Sequence, residues 1–243
     1  MKRWTVIFIL LISCTCSGQE ILLRQKTENT LNDGDFGPNK KKYLHNIFGF
    51  GFNMSLHGDE VSLIHGGSSF SLSYGLRRKR KLSNAFALGY DLRYEFNQYR
   101  FKKHKGSLFT QVYSVPAPDS LVTDKLSYSV VQLVPYFRIN FGKRGDHLGK
   151  YLDFAVCGEL MISSRHIVKY DHPNDNMVRK STHRSRRLAY TNKLFYGLEA
   201  RYGNSYFNLY FRYRLAYFFN DKLGDDICRI PAFNAGVFLF VAR

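Results

Sequence analysis

From Phe86 to Asn97 every second residue is apolar or aromatic: Phe86, Leu88, Tyr90, Leu92, Tyr94 and Phe96 alternate with Ala87, Gly89, Asp91, Arg93, Glu95 and Asn97. A β-strand sends successive side chains to opposite faces, so this segment has one greasy face and one charged face. Seven further stretches repeat the pattern, at about 44–56, 68–76, 126–141, 151–163, 190–202, 206–218 and from Ala232 to the end. In a soluble sandwich the apolar face would be the inside. In an outer-membrane barrel it is the outside, and the polar face lines the lumen.

The N-terminus points to export. Lys2 and Arg3 precede a mostly apolar run from Trp4 to Ile12, too short for the roughly 20 residues that span a bilayer as a helix. Cys16-Ser17-Gly18 then offers small residues at a cleavage site, making Gln19 the expected mature N-terminus. The rival is a lipoprotein signal on Leu11-Ile12-Ser13-Cys14. The expected organisation is a signal peptide at 1–18, a periplasmic tail at 19–43 ending in Gly37-Pro38-Asn39-Lys40-Lys41-Lys42, and one β domain at 44–243. Mean hydropathy is only −0.30, as expected when alternate residues alone meet lipid. Beyond the signal, Cys157 and Cys228 remain, too few for a disulfide scaffold, and both are expected as free thiols.

Connections between the stretches alternate in length. Long ones fall at about 57–67, 101–125, 164–189 and 219–231, shorter ones at 77–84, 142–150 and 203–205. Outer-membrane barrels have extended outer loops and tight periplasmic turns; a soluble sandwich has no reason to obey that alternation. The fold expected is therefore all-β, an eight-stranded antiparallel transmembrane β-barrel. On its polar face Asp91, Glu95, Asp153, Glu159 and Glu199 are matched by Arg93, Arg138, Arg201, Arg212 and Arg214. An unpaired buried charge costs several kcal/mol, and a ring of eight strands is about filled by its own side chains. A salt-bridged plug is thus preferred to an ion path.

These residues bring a family likeness. The opening Phe48-Gly-Phe-Gly-Phe-Asn53, the Leu133-Val-Pro-Tyr-Phe-Arg138 segment, the closing Asn234-Ala-Gly-Val-Phe-Leu-Phe-Val241 and the Ser17-Gly18-Gln19 junction resemble the small outer-membrane β-barrels of Bacteroidetes-type bacteria, the group that includes PorT-like barrels. The resemblance covers about residues 44–243. It implies a signal for the barrel-insertion machinery at Gly236, Phe238 and Phe240, although this chain ends Val241-Ala242-Arg243 and not in an aromatic.

Net charge is +17, and +15 without Lys2 and Arg3. Arg77-Arg78-Lys79-Arg80-Lys81 is expected in a periplasmic turn with Lys143 and Arg144, facing inner-leaflet headgroups. On the outer side Lys102, Lys103, Lys105, Arg165, Lys169, Arg179, Lys180, Arg184, Arg186 and Arg187 would face lipopolysaccharide phosphates. Nucleic acid is a poor partner for an exported chain whose basic residues divide between two membrane faces.

Chemistry is sparse. His57, Asp59, Glu60 and His65 share one outer loop, and His166, Asp171, His172, Asp175 and His183 another, but neither spacing matches a standard metal site. A lipid-A-modifying enzyme would need serine beside histidine at the outer rim. Asp119-Ser120 and His183-Arg184-Ser185 are the nearest fragments, and neither assembles nucleophile, base and orienter. Arg144-Gly145-Asp146 mimics an integrin-binding tripeptide but falls in a periplasmic turn. The expectation is a non-enzymatic outer-membrane barrel without cofactor or metal, structural or an accessory subunit of an assembly or secretion complex. Its expected partners are outer-membrane lipid, lipopolysaccharide, the barrel-insertion machinery and other outer-membrane proteins. A lipid-A-modifying enzyme and a small adhesin-like barrel are the alternatives.

Overall fold

The computed structural model describes residues 40–54, 64–101, 121–141, 143–144, 147–174, 177–204, 206–220 and 230–241. The expected signal peptide, most of the 19–43 tail, Cys14, Cys228, His57, Asp59, Glu60, Asp119, Ser120, Gly145, Asp146 and Asp175 lie outside them. Among the described residues the chain forms β1 (Lys42–Met54), β2 (Phe70–Lys81), β3 (Phe86–Arg100), β4 (Leu121–Asn140), β5 (Lys143–Arg144), β6 (His147–Leu148), β7 (Tyr151–Asn174), β8 (Met177–Arg186), β9 (Leu194–Gly203), β10 (Phe207–Arg214) and β11 (Phe233–Val241).

Nine of these make a single antiparallel sheet in the order β4-β3-β2-β1-β11-β10-β9-β7-β8. β4 also pairs with β7, which closes the sheet into a ring. First and last strands meet along Asn46↔Val241 to Met54↔Phe233. β5 and β6 form a separate two-residue hairpin.

The sheet has nine strands where eight were expected. The stretch expected as one long loop at 164–189 is largely strand: β7 runs on to Asn174, and β8 returns along it from Asn174↔Met177 to Arg165↔Arg186. Ile167, Val168, Val178 and Thr182 give this hairpin β-branched residues, but interspersed histidines and arginines hide the apolar period. β8 pairs with β7 alone, so it stands beside the ring and not in its circuit.

A second correction concerns 77–84. β2 continues to Lys81, with Arg77 opposite Asp91 and Lys81 opposite Ala87, so the turn shrinks to Leu82–Ala85. There Ser83 Oγ accepts from the backbone N–H groups of Ala85 and Phe86 at 3.2 and 3.0 Å. Asn204 Oδ1 does the same for Tyr206 and Phe207 at 2.9 and 3.2 Å in the β9–β10 turn. Such short side chains replace the missing ladder partners of a tight turn. Pro135 lies within β4, facing outward, and there the β4–β7 pairing lapses between Leu133↔Gly158 and Tyr136↔Ala155, as a missing N–H requires.

Burial is inverted. Leu92, Tyr94, Leu133, Phe154, Leu198 and Phe211 point away from the ring and are 49–55% exposed, while Arg77, Asp91, Asp153 and Arg201 are fully buried inside it. At the end bearing the long connections, Tyr99, Phe101, Leu126, Tyr128, Phe195 and Phe218 form an apolar cap with Ile64, Leu188 and Ile230 from the connections. At the β1–β11 seam Gly51 faces Gly236. A Cβ on Gly236 would strike the Phe50 carbonyl, and one on Gly51 the Tyr210 hydroxyl. The Tyr210 ring occupies the room these two glycines leave, and the Phe238 ring stacked on it at 4.4 Å fills the space beside Gly49.

Candidate functional site

The charged interior is built on strand parity. β3 turns Asp91, Arg93 and Glu95 inward, β9 turns Glu199 and Arg201, β10 Arg212, β4 Arg138, and β7 Asp153 and Glu159; all are buried. Some pairs join register neighbours. Arg138 Nε and Nη2 donate to the two Asp153 oxygens at 2.7 and 2.9 Å, and Arg212 Nε donates to Glu199 at 2.8 Å. Others cross the ring. Arg93 reaches Glu199 at 3.2 and 2.9 Å, Arg212 Nη1 reaches Glu95 at 2.7 and 2.9 Å, and Arg201 Nη2 lies 3.0 Å from Asp91. Arg201 Nε also donates to Glu199. Glu159 accepts from Gln132 Nε2 at 2.9 Å and has Arg212 at 3.6 Å. Bidentate guanidinium–carboxylate pairs of this kind are the strong ones, and shared partners couple them into one network.

Aromatic faces separate the cations. The Arg138 guanidinium lies 3.6 Å from the Tyr151 ring centroid, and Arg93 lies 4.9 Å from that of Phe238. Ring faces carry partial negative charge, so they offset part of the cost of taking guanidinium out of water.

Two interior residues differ from expectation. Arg77, assigned by sequence to a turn, donates through Nε and Nη2 to both Asp91 oxygens at 2.8 Å and is fully buried. It continues the inward Ser69-Ser71-Ser73-Gly75 parity, a signal that the surrounding run of like charges masked. Lys79 follows it inward, whereas Arg78 and Arg80 point out. Arg77 joins Arg93, Arg138, Arg201 and Arg212 as the fifth arginine against the five predicted acids, Arg214 lying outside that network, and Asp91 serves Arg77 and Arg201 together. Arg214, assigned to the salt-bridge network, has no carboxylate of a described residue within ion-pair distance. It belongs to the apolar cap: it donates to the Tyr128 hydroxyl and to the carbonyls of Ile230 and Pro231, all at 3.3 Å, with Phe218 at 5.2 Å.

Asp124 and His166 form a buried pair that sequence reasoning missed, with His166 Nε2 2.7 Å from Asp124 Oδ1 and the Tyr190 hydroxyl 3.4 Å from Nδ1. A β-bulge concealed it. The β4–β7 register shifts between Ser129↔Ser163 and Val130↔Met161, so inward parity on β7 changes from odd at Glu159 to even at Ser164 and His166. The other described members of the two histidine–carboxylate loop sets do not come together. His183 lies exposed on β8, and Asp171 and His172 fall on the far part of β7; His65 lies exposed just before the 3-10 turn Gly66–Ser68. Among the described residues no group of three potential ligands comes together.

Gly236, Phe238 and Phe240, the expected insertion signal, share the inward parity of β11. Phe238 is fully buried and Phe240 packs edge-on against His45 at 5.0 Å, leaving Leu239 as an outward neighbour. Of the expected lipopolysaccharide contacts, Arg179 and Lys180 lie on β8, Arg184 and Arg186 are exposed on the same strand, and Arg187 follows it with φ 54°. Cys157 is a free, buried thiol on β7.

No protein-family model matches the chain, and comparison with curated proteins found no match.

Proposed function

We propose that this chain is an integral outer-membrane β-barrel of the small PorT-like kind its sequence resembles, non-enzymatic, acting as a structural or accessory subunit of an outer-membrane assembly or secretion complex. The observation that carries the reading is the inverted burial of a closed sheet: large apolar side chains outside, paired charges inside. A contiguous apolar exterior of this extent has no stable place in water, and a bilayer requires that no strand edge be left open within it. The pairing circuit from β1 through β2, β3, β4, β7, β9, β10 and β11 back to β1 supports an eight-stranded barrel, with β8 an appendage beyond the membrane. β3 at 15 residues and β11 at 9 meet the 9–11 residues of a tilted crossing strand, or nearly so. The short Lys2–Ile12 signal supports export, and the basic end with the long connections suits a lipopolysaccharide-bearing leaflet.

Fractionation tests this directly. The protein is expected with outer membranes, running faster unboiled than boiled in a detergent gel; recovery as a soluble periplasmic protein without detergent overturns the reading. Affinity purification from native membranes followed by mass spectrometry tests the accessory role, a stoichiometric outer-membrane partner being the expected result.

A further inference from the structure

The β-bulge of β7 does more than turn His166 inward. It leaves Ile162 and Ser163 both facing out and swings Arg165 to the exterior, just past the apolar band. Arg165 lies directly opposite Arg186 on β8. Like charges facing each other across two strands repel, yet no carboxylate of a described residue pairs with either. Arg187, next along, sits in the left-handed region at φ 54°, a conformation costly for a residue with a side chain and often kept where function demands it. These three guanidinium side chains rim a groove on the outer surface. Its floor is Tyr94, Phe96 and Ile162, with Ser129 and Ser163 between floor and rim; the Tyr94 hydroxyl donates to Ser129 at 2.8 Å.

From this we infer that the groove is a binding site for a phosphorylated acyl glycolipid of the lipid A type, an inference that rests on the membrane reading above. An apolar floor continuous with the exterior band takes acyl chains, and the arginine rim takes phosphate through its forked donors. Charge selects the lipid. Three clustered arginines call for more than one anionic group, which a bisphosphorylated glycolipid supplies and a single phosphodiester does not. The bulge is the device that places the cations at the edge of the apolar band.

The test uses the full chain in phosphatidylcholine nanodiscs doped with one probe at a time: bisphosphoryl lipid A, its dephosphorylated form, or phosphatidylglycerol. Native mass spectrometry reads retained lipid. Bisphosphoryl lipid A is expected to bind at least tenfold more tightly than either other probe. The double variant R165S/R186S should lose that preference, R165K/R186K should keep part of it, and R80S, whose arginine lies at the opposite end of the ring, should keep all of it. Equal retention of phosphorylated and dephosphorylated lipid A overturns the site, as does full preference in R165S/R186S. Phosphatidylglycerol binding as tightly as lipid A overturns the choice of ligand. The wild-type comparison stands even if the serine variant does not fold. Failure of the chain to insert into nanodiscs would sink the membrane reading itself, whereas insertion without phosphate discrimination sinks this inference alone.

Discussion

Arg93 on β3 and Glu199 on β9 are joined by hydrogen bonds of 3.2 and 2.9 Å, although β4 and β7 stand between their strands in the ring. The pair spans the interior instead of running along a ladder. Removing one partner of a buried ion pair costs about 3–5 kcal/mol; because Glu199 keeps Arg201 and Arg212, Arg93→Ala should fall near the lower end. Reversible urea unfolding in lipid vesicles measures it, and a neutral variant would contradict a paired interior.

The neighbouring residue tests the other face. Leu92 is 49% exposed on the outer side. Leu92→Arg should cost about 2–4 kcal/mol in vesicles, the value for arginine at the mid-plane of a barrel's lipid face. If Leu92 met water, the same change would alter stability by less than about 0.5 kcal/mol.

Arg77 and Arg78 make a matched pair of substitutions. Arg77→Ala takes the bidentate donor from buried Asp91, which keeps Arg201 at 3.0 Å, and should destabilise by about 3 kcal/mol, the lower end for a broken buried pair. Arg78, which is exposed and donates to the Tyr90 hydroxyl at 3.3 Å, should tolerate alanine within about 0.5 kcal/mol. Equal effects in unfolding titrations would return both residues to a turn.

At the seam, Gly236→Ala places a methyl against the Phe50 carbonyl of the facing strand. Backbone, unlike a side chain, has little room to move aside. The expected cost is about 1–3 kcal/mol, as for overpacking elsewhere, with slower gain of the fast-migrating form on unboiled gels. An unchanged folding rate and midpoint would show that the strands separate freely.

Cys157 reports on closure. In a chain with Cys14, Cys16 and Cys228 changed to serine, this fully buried thiol should resist maleimide in the folded protein and react once denatured. Rapid labelling of the folded form would place solvent inside the ring.

The faces of β3, β9 and β10 were legible because an unbroken period of two leaves no ambiguity about which residues share a side. Arg77 was hidden by its neighbours: five basic residues in succession carry no apolar alternation, although register with Asp91 continues through them. His166 was beyond periodicity, since a single inserted residue at the bulge reverses every later position on β7. Arg214 had the correct parity but the wrong company, because the cap that receives it draws Ile230 from a connection without period and Phe218 from the end of the 206–218 stretch, where β10 has already stopped at Arg214. The crossing pairs were invisible for a further reason. Residues such as Glu95 and Arg212 become neighbours only when a ring of fixed circumference brings opposite walls together.

That last pair also orders events during biogenesis. Glu95 emerges 117 residues before Arg212, and Arg93 106 residues before Glu199. The N-terminal half of the strands therefore reaches its destination electrically incomplete, with counter-ions still to be delivered by the C-terminal half. The β2–β3 hairpin carries its own Arg77–Asp91 pair, but Arg93 and Glu95 stay unanswered until β9 and β10 are in place. A half-built wall is thus not a resting state, because those early charges have no answer until the last strands arrive.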